Sequence, residues 1–286
     1  MKPSIMSDSY ADVYLSPHLD DAVLSSGGLI HQQVTAGRRP LVITLFAAQP
    51  PDDVALSEFA LFQHTRWGNS ADIAAVRWAE DQAALATLGA DYLRLNYSDC
   101  IYRGRKQSSE LAQANGPTWY YASEHAIFGP VHPSEQGLPV ELAAVLSEFI
   151  PPGDGVILYA PLTVGNHVDH QLVFAAALIL RAQGWQVRFY EDYPYVQTEG
   201  ALAAALAARG VAQWKSEVIP LDEGDLEAKI EAIDRYQSQL EVLFGSAEAM
   251  PDRVRAYVTL VGGERLWRPG QMHNQKSPDW ELEAPA

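Results

Sequence analysis

Val13 to Gly28 reads VYLSPHLDDAVLSSGG. A short apolar run, Val13 to Leu15, leads into a turn that crowds His18, Asp20 and Asp21 together just before a segment of helical length, Ala22 to Gly37. Three ionisable side chains at the carboxyl end of a first strand suggest a ligand, because α/β sheets bind their ligands at those ends. Leu41 to Phe46 (LVITLF) follows as a second strand. Its β-branched run without polar alternation suits a central parallel strand covered on both faces. Strand, helix and strand within roughly thirty residues form a βαβ unit.

The alternation continues outward from this unit. Ser70 to Leu88 is expected as a helix ended by Gly89, and Tyr92 to Leu95 as a strand. Glu141 to Phe149, Val156 to Tyr159, His167 to Gln183 and Val187 to Tyr190 repeat helix and strand. The expected fold is α/β: a Rossmann-like, open, mostly parallel sheet with helices on both faces. Asn96 to Gln136 carries Tyr97, Tyr102, Arg103, Arg105 and Trp119 to Tyr121 with little periodicity. Such a segment reads either as a substrate lid or as a surface excursion that packs its aromatics on the domain. Residues 200 to 286 hold an Ala-rich helix (Ala201 to Arg209), a strand (Glu217 to Leu221) and a charged helix (Glu227 to Leu240). With no linker or repeat, this part is an elaboration of one domain spanning 1 to 286, and Gln275 to Ala286 is expected to fray.

Composition narrows the partners. Among 286 residues, 48% hydrophobic content fits a globular chain with a sizeable core. Lys and Arg total 20 against 36 Asp and Glu, and a formal charge of −16 opposes binding to nucleic acid or an anionic membrane surface. The N-terminus lacks a secretory pattern and no apolar run approaches the roughly 20 residues of a membrane span, so the expected location is the cytoplasm. The lone Cys100 excludes an internal disulfide and a Cys-rich zinc site. Any metal site must come from histidine and carboxylate. Homo-oligomerisation is left open.

His18 and Asp21, three residues apart, share a face if the turn is helical. Asp20 is turned by about a quarter circle from Asp21 and can sit beside a metal without binding it. A ligand carboxylate is thus separated from one free to take a proton from metal-activated water. A plain helix cap explains Asp20 and Asp21 equally well. A second cluster, GNHVDHQLV, alters that balance. Asn166 reads as an N-cap and Asp169 as its third-position partner, whereas His167 and His170 lack any such capping role. They fall at the same sheet edge as His18 and Asp21, so His18, Asp21 and one of them make three ligands with an open position, as catalytic zinc requires.

SPHLDDAVLSSGG and HVDH resemble the two signatures of the LmbE-like or PIG-L family of metal-dependent N-deacetylases, which act on N-acetylglucosamine groups of lipids, thiol precursors and glycosylated antibiotics. The resemblance extends to Arg77–Asp91, Tyr190–Tyr195 and Lys229–Gln239. It implies metal ligands His18, Asp21 and His170, a general base Asp20, and His167 in protonated form stabilising the oxyanion. Arg77 and Asp99 are the best matches to the family's substrate contacts, and Trp119 and Tyr120 suit stacking on a sugar. Leu19 and Ala22 depart from the family's usual Pro and Glu, at positions that are not ligands.

Other residues read more plainly. Ser16 lacks a G-x-S-x-G elbow and is expected to bond at the strand end. Ser25 to Gly28 matches neither phosphate-binding fingerprint and suggests close helix packing. Cys100 reads as a small buried hydrophobe. His31, His64 and His273 are unassigned, and His125 and His132 lie in the long loop. The resulting expectation is a Zn2+ enzyme, or one using another divalent ion such as Fe2+, that deacetylates an amino-sugar-bearing small molecule. A metal-dependent amidase on a thiol conjugate or lipid amide, and a non-catalytic metal-stabilised binding module, are the alternatives.

Overall fold

The computed structural model describes residues 10–52, 55–68, 72–105, 118–150, 155–208, 211 and 213–270. The expectations for Ser70, for 106–117 of the long loop, for Arg209, for His273 and for the tail from Gln275 lie outside the described residues. The first strand is β1 (Asp12–Ser16), followed by α1 (Asp21–Thr35), β2 (Pro40–Thr44), α2 (Glu58–Arg66), α3 (Ile73–Leu88) and β3 (Asp91–Arg94). Next come β4 (Gly104–Arg105), β5 (Thr118–Trp119), α4 (Glu124–Ile127), α5 (Leu138–Phe149), β6 (Ile157–Pro161), α6 (Val168–Ala182) and β7 (Gln186–Tyr190). The C-terminal part adds α7 (Ala201–Ala208), β8 (Trp214–Ile219), α8 (Glu223–Asp234), α9 (Gln237–Phe244), α10 (Met250–Val261) and β9 (Glu264–Pro269).

Seven strands form one sheet in the order β3-β2-β1-β6-β7-β9-β8, while β4 and β5 make a small ribbon. The pairs from β3 through β7 are parallel, and β9 runs antiparallel to both β7 and β8. Alternate residues serve opposite faces. Val13, Leu15 and Ile43 join one core beneath α5 and α6, and Tyr14 and Val42 join another beneath α1, α3 and α8. Because β1 lies between β2 and β6, its carboxyl end faces a topological switch point, where adjoining crossovers diverge and leave a crevice.

Two expected C-terminal elements change and one strand is added. The strand expected at Glu217 to Leu221 begins at Trp214, and the helix expected at Glu227 to Leu240 breaks between α8 and α9. At that break Tyr236 turns inward and its hydroxyl donates to Asp81 Oδ1 at 3.0 Å. β9 carries no strand signature because its ERLWRP pairs two charges with two bulky apolar residues rather than alternating them, and it ends in proline. It takes its place through long-range pairing with β7 and β8.

Helix α1 kinks at Ser26, whose φ and ψ are −137° and 18°. The kink exposes new helix-start donors, and Glu264 from β9 caps them, accepting from Gly28 N at 3.0 Å and Leu29 N at 2.8 Å. Lys229 Nζ donates to the same carboxylate at 2.6 Å in a fully buried pair. Gly27 and Gly28 allow the approach: a Cβ at Gly28 would lie 2.3 Å from Leu221 Cδ1, and one at Gly27 would lie 3.2 Å from Lys229 Cγ. The Ser-Ser-Gly-Gly stretch therefore serves close packing. Among the described residues, no helix is long and apolar enough to cross a membrane.

Candidate active site

Ser16 closes β1 as expected, donating to His18 O at 2.7 Å and accepting from Ala22 N at 3.0 Å. This local clasp turns the chain so that His18, Asp20 and Asp21 meet the start of α6. Asp21 Oδ2 accepts from His18 N at 2.8 Å and lies 3.2 Å from His18 Nδ1 and 3.3 Å from His170 Nε2. The far nitrogen of each ring meets a second carboxylate: His18 Nε2 with Asp169 Oδ2 at 2.9 Å, and His170 Nδ1 with Asp192 Oδ1 at 2.6 Å. Carboxylates behind histidines are the usual outer support of a metal site, because they orient the ring and raise its basicity.

The donor set fits a divalent ion. Ligands held at about 2.0–2.2 Å in a tetrahedron stand roughly 3.4 Å apart, and both contacts on Asp21 Oδ2 come close to that edge. Nitrogens of His18, His167 and His170 also lie within 4.8 Å of one another. His167 is the weaker ligand of the three, because it is the N-cap of α6 and its Nδ1 accepts from Asp169 N at 3.3 Å. That bond leaves the ring proton on Nε2, so the nitrogen facing the site donates rather than ligates.

Charge follows this geometry. Burial alone would lower His170, but Asp21 and Asp192 outweigh it and push its pKa to about 9. His18 is likewise raised despite burial, chiefly through Asp169 and Asp21. Burial would raise Asp21, yet His170 and His18 hold it well below the usual carboxylate range. Burial, reinforced by Asp21 and opposed by Arg77, lifts Asp20 to about 6. His167 is driven well below its ordinary value by burial and by His18. This direction favours the neutral ring, whereas the sequence reading expected a protonated one.

Capping roles also change hands. Asp20 occupies the N-cap of α1 but its side chain caps nothing, and Arg77 Nη2 stands 3.6 Å from its Oδ2. Asn166 is not the cap of α6. Its φ is 67°, and its amide donates to Phe128 O and Gly129 O. Asp169 is no cap partner either: besides His18, it takes Cys100 N at 3.0 Å and Arg103 Nη1 at 2.6 Å. Arg103 and His18 overcome the effect of burial and keep Asp169 ionised.

A cavity of about 230 Å³ opens over these groups. His18, Asp20, Asp21 and His167 line its floor, with Arg77 and Asp99 beside them. Asp99 caps a 3-10 turn (Cys100–Tyr102) and stands 3.8 Å from His18 Nε2. The Arg77 guanidinium lies 4.8 Å over the Trp67 ring, and its buried Nε has no hydrogen-bond partner among the described residues. Trp119 and Tyr120 are not in the cavity lining. Trp119 pairs with Gly104 in the ribbon, and Tyr120 stacks on His132 at 3.9 Å, which uses the ring face that a sugar would need.

The long loop instead contributes Ile101, Glu124, Ile127 and Phe128. Two walls were not anticipated: Gln63 and Arg66 of α2 with Trp67 at its C-cap, and Gln239, Val242 and Leu243 of α9. Asp192 was missed as well, although its place just beyond β7 put it at the same sheet edge. The walls had no sequence signal, since they reach the site only through tertiary packing.

Residues 13–180 match the GlcNAc-PI de-N-acetylase (PIG-L) family model, well over half the chain. The chain belongs to the PIG-L family. It is 30% identical over 203 residues to a 2'-N-acetylparomamine deacetylase of Niallia circulans, covering 66% of this chain and 69% of that protein. A 2'-N-acetylparomamine deacetylase of Streptomyces fradiae is 27% identical over 233 residues, covering 79% and 72%. The crystal structure of a zinc-inhibited form of the teicoplanin deacetylase Orf2 superposes with TM-score 0.71 at 27% identity, covering 89% of this chain and 96% of that one. The A40926 pseudoaglycone deacetylase Dbv21 superposes with TM-score 0.67 at 26% identity, covering 91% and 97%. As a PIG-L member with such relatives, the chain is an N-deacetylase.

Proposed function

We propose that this enzyme removes the N-acetyl group from an amino-sugar ring carried by a small glycoconjugate, using zinc or a similar divalent ion held by His18, Asp21 and His170. The observation that carries this reading is the convergence of His18 Nδ1 and His170 Nε2 on Asp21 Oδ2 at 3.2 and 3.3 Å, with each imidazole braced from behind by a carboxylate. The amino-sugar part is supported by relatives that act on acetylparomamine and on teicoplanin. The cavity volume lies just below the roughly 300–1,000 Å³ of drug-sized pockets, which suits one sugar ring with the remainder of the molecule at the mouth.

A divalent ion in this set supplies Lewis acidity toward water and the amide carbonyl. Asp20, buried beside the ligands and raised to about 6, accepts the proton of the attacking water. His167 donates Nε2–H to the carbonyl oxygen as negative charge develops there. In the present arrangement this nitrogen has only a weak partner, Cys100 Sγ at 3.8 Å. Asp20 then returns the proton to the departing nitrogen, releasing amine and acetate. Arg77 lines the cavity and steadies Asp20 through Nη2, and Asp99 accepts a sugar hydroxyl.

Acetate release from N-acetylglucosamine derivatives and from 2'-N-acetylparomamine, measured before chelation, after it and after return of zinc, tests the reading. Release that stops with chelator and resumes with zinc is expected. Release unaffected by complete metal removal would refute it.

A further inference from the structure

The wall facing the metal-ligand set contains two carboxamides whose hydrogen-bonding atoms can be assigned without ambiguity. Gln63 on α2 and Gln239 on α9 both line the cavity, and they are only 7% and 5% exposed. Arg66 Nη1 donates to Gln63 at 3.1 Å. A guanidinium can only donate, so Gln63 presents Oε1 to it and keeps its NH2 free. Ser238 Oγ lies 2.6 Å from Glu80 Oε2, and that contact consumes the serine proton. The Ser238 oxygen must then accept from Gln239, 2.8 Å away, so Gln239 has turned its NH2 to the serine and left Oε1 free. Neither free group bonds to any other described residue.

Neither atom is among the fully buried polar atoms that lack a partner, so both keep contact with the cavity's solvent and are open to a ligand there. Together they match a pair of hydroxyls, one accepting from Gln63 and the other donating to Gln239. Val242 and Leu243 beside Gln239, with Ile127 on α4, supply the apolar surface that a sugar ring's C–H face requires. The wall from α9 lies beyond residue 180, outside the segment that matches the PIG-L family model.

We infer that Gln63 and Gln239 form a hydroxyl clamp that selects a neighbouring pair of hydroxyls on the substrate's sugar ring. The clamp rests on the deacetylase reading above and names the ring feature which that reading leaves open. It makes Gln63 and Gln239 binding residues that set specificity and take no part in proton transfer.

The test uses methyl N-acetylglucosaminide and its 3-deoxy, 4-deoxy and 6-deoxy analogues. Their binding to the zinc-loaded Asp20→Asn enzyme is measured by calorimetry, and kcat/KM is measured with the native enzyme. Loss of a clamped hydroxyl is expected to weaken binding and lower kcat/KM about tenfold, since a net hydrogen bond of this kind corresponds to roughly one decade. Gln239→Met and Gln63→Met should each bind the parent glycoside about tenfold more weakly and should no longer distinguish it from the corresponding deoxy sugar. The deoxy series with unsubstituted Gln63 and Gln239 provides the same information should a variant fold poorly. Acetate release with equal constants across all four sugars overturns the clamp and leaves the deacetylase reading standing. Hydroxyl-dependent binding without acetate release does the reverse. Hydroxyl dependence that persists undiminished in both glutamine variants overturns the assignment to these residues.

Discussion

Asp192 provides a direct test of how the metal site is supported. Its two oxygens serve two buried donors: Oδ1 takes His170 Nδ1 at 2.6 Å and Oδ2 takes Val164 N at 2.8 Å. Asparagine keeps the shape but has one acceptor oxygen, so Asp192→Asn must set its NH2 against either the imidazole N–H or the backbone N–H. In either orientation a buried donor faces a donor, which costs about 1–3 kcal/mol. If the imidazole loses its acceptor, His170 loses the carboxylate that orients it, and metal affinity should fall roughly 10–100-fold, or about 1.4–2.7 kcal/mol. If Val164 loses it, the same energy appears as lost stability in the loop that precedes α6. Zinc competition against a chelator of known affinity, paired with thermal melts of the same samples, separates the two. The reasoning is refuted if Asp192→Asn matches the native protein in both zinc affinity and melting temperature.

Further outcomes follow from the same geometry. Asp20→Asn should retain stoichiometric zinc while kcat falls about 10²–10⁴-fold, and near-native turnover in a zinc-loaded variant would remove Asp20 as the base. Glu264→Gln leaves Lys229 charged and buried opposite a neutral amide, so chemical denaturation should show a loss of about 3–5 kcal/mol, and a change under 1 kcal/mol would contradict the pair's role. Asp81 is pushed to about 6 by burial, with Arg94 and Tyr236 opposing the shift. An acid raised in the fold stabilises below its unfolded pKa and loses that contribution as pH rises from about 4 to 6. Relative to Asp81→Asn, the native protein should therefore lose about 3 kcal/mol between pH 4 and 7. A difference between the two proteins that does not change with pH would dismiss this.

Much of the architecture was legible because it rests on local pattern. Strands β1, β2, β6 and β7 are short apolar runs set between helix-length segments, and this alternation has few solutions other than a parallel sheet with helices on both faces. Both His/Asp clusters directly follow a strand, so the edge they share was readable before any coordinates. The long loop was less legible at its aromatics. Trp119 and Tyr120 suited a stacking platform, but neither lines the cavity: Trp119 is a ribbon residue and Tyr120 stacks on His132, a placement that no local pattern encodes.

Sequence alone determined which residues are the candidates for the chemistry: His18, Asp20, Asp21, His167 and His170 form short-range motifs whose spacing and strand-end position are written in the chain. Tertiary structure decided which partners each of them meets. Asp169, which reads as a helix cap, becomes the brace behind His18 because the start of α6 meets the turn after β1 across the switch point. His167, which reads as a free imidazole, becomes the cap, with Nδ1 accepting from Asp169 N and Nε2 left facing the site. The walls from α2 and α9, like β9 and its Glu264, come from segments whose local pattern is ordinary. Their roles arise from contacts between residues far apart in the chain, and helical or strand periodicity carries no record of such contacts.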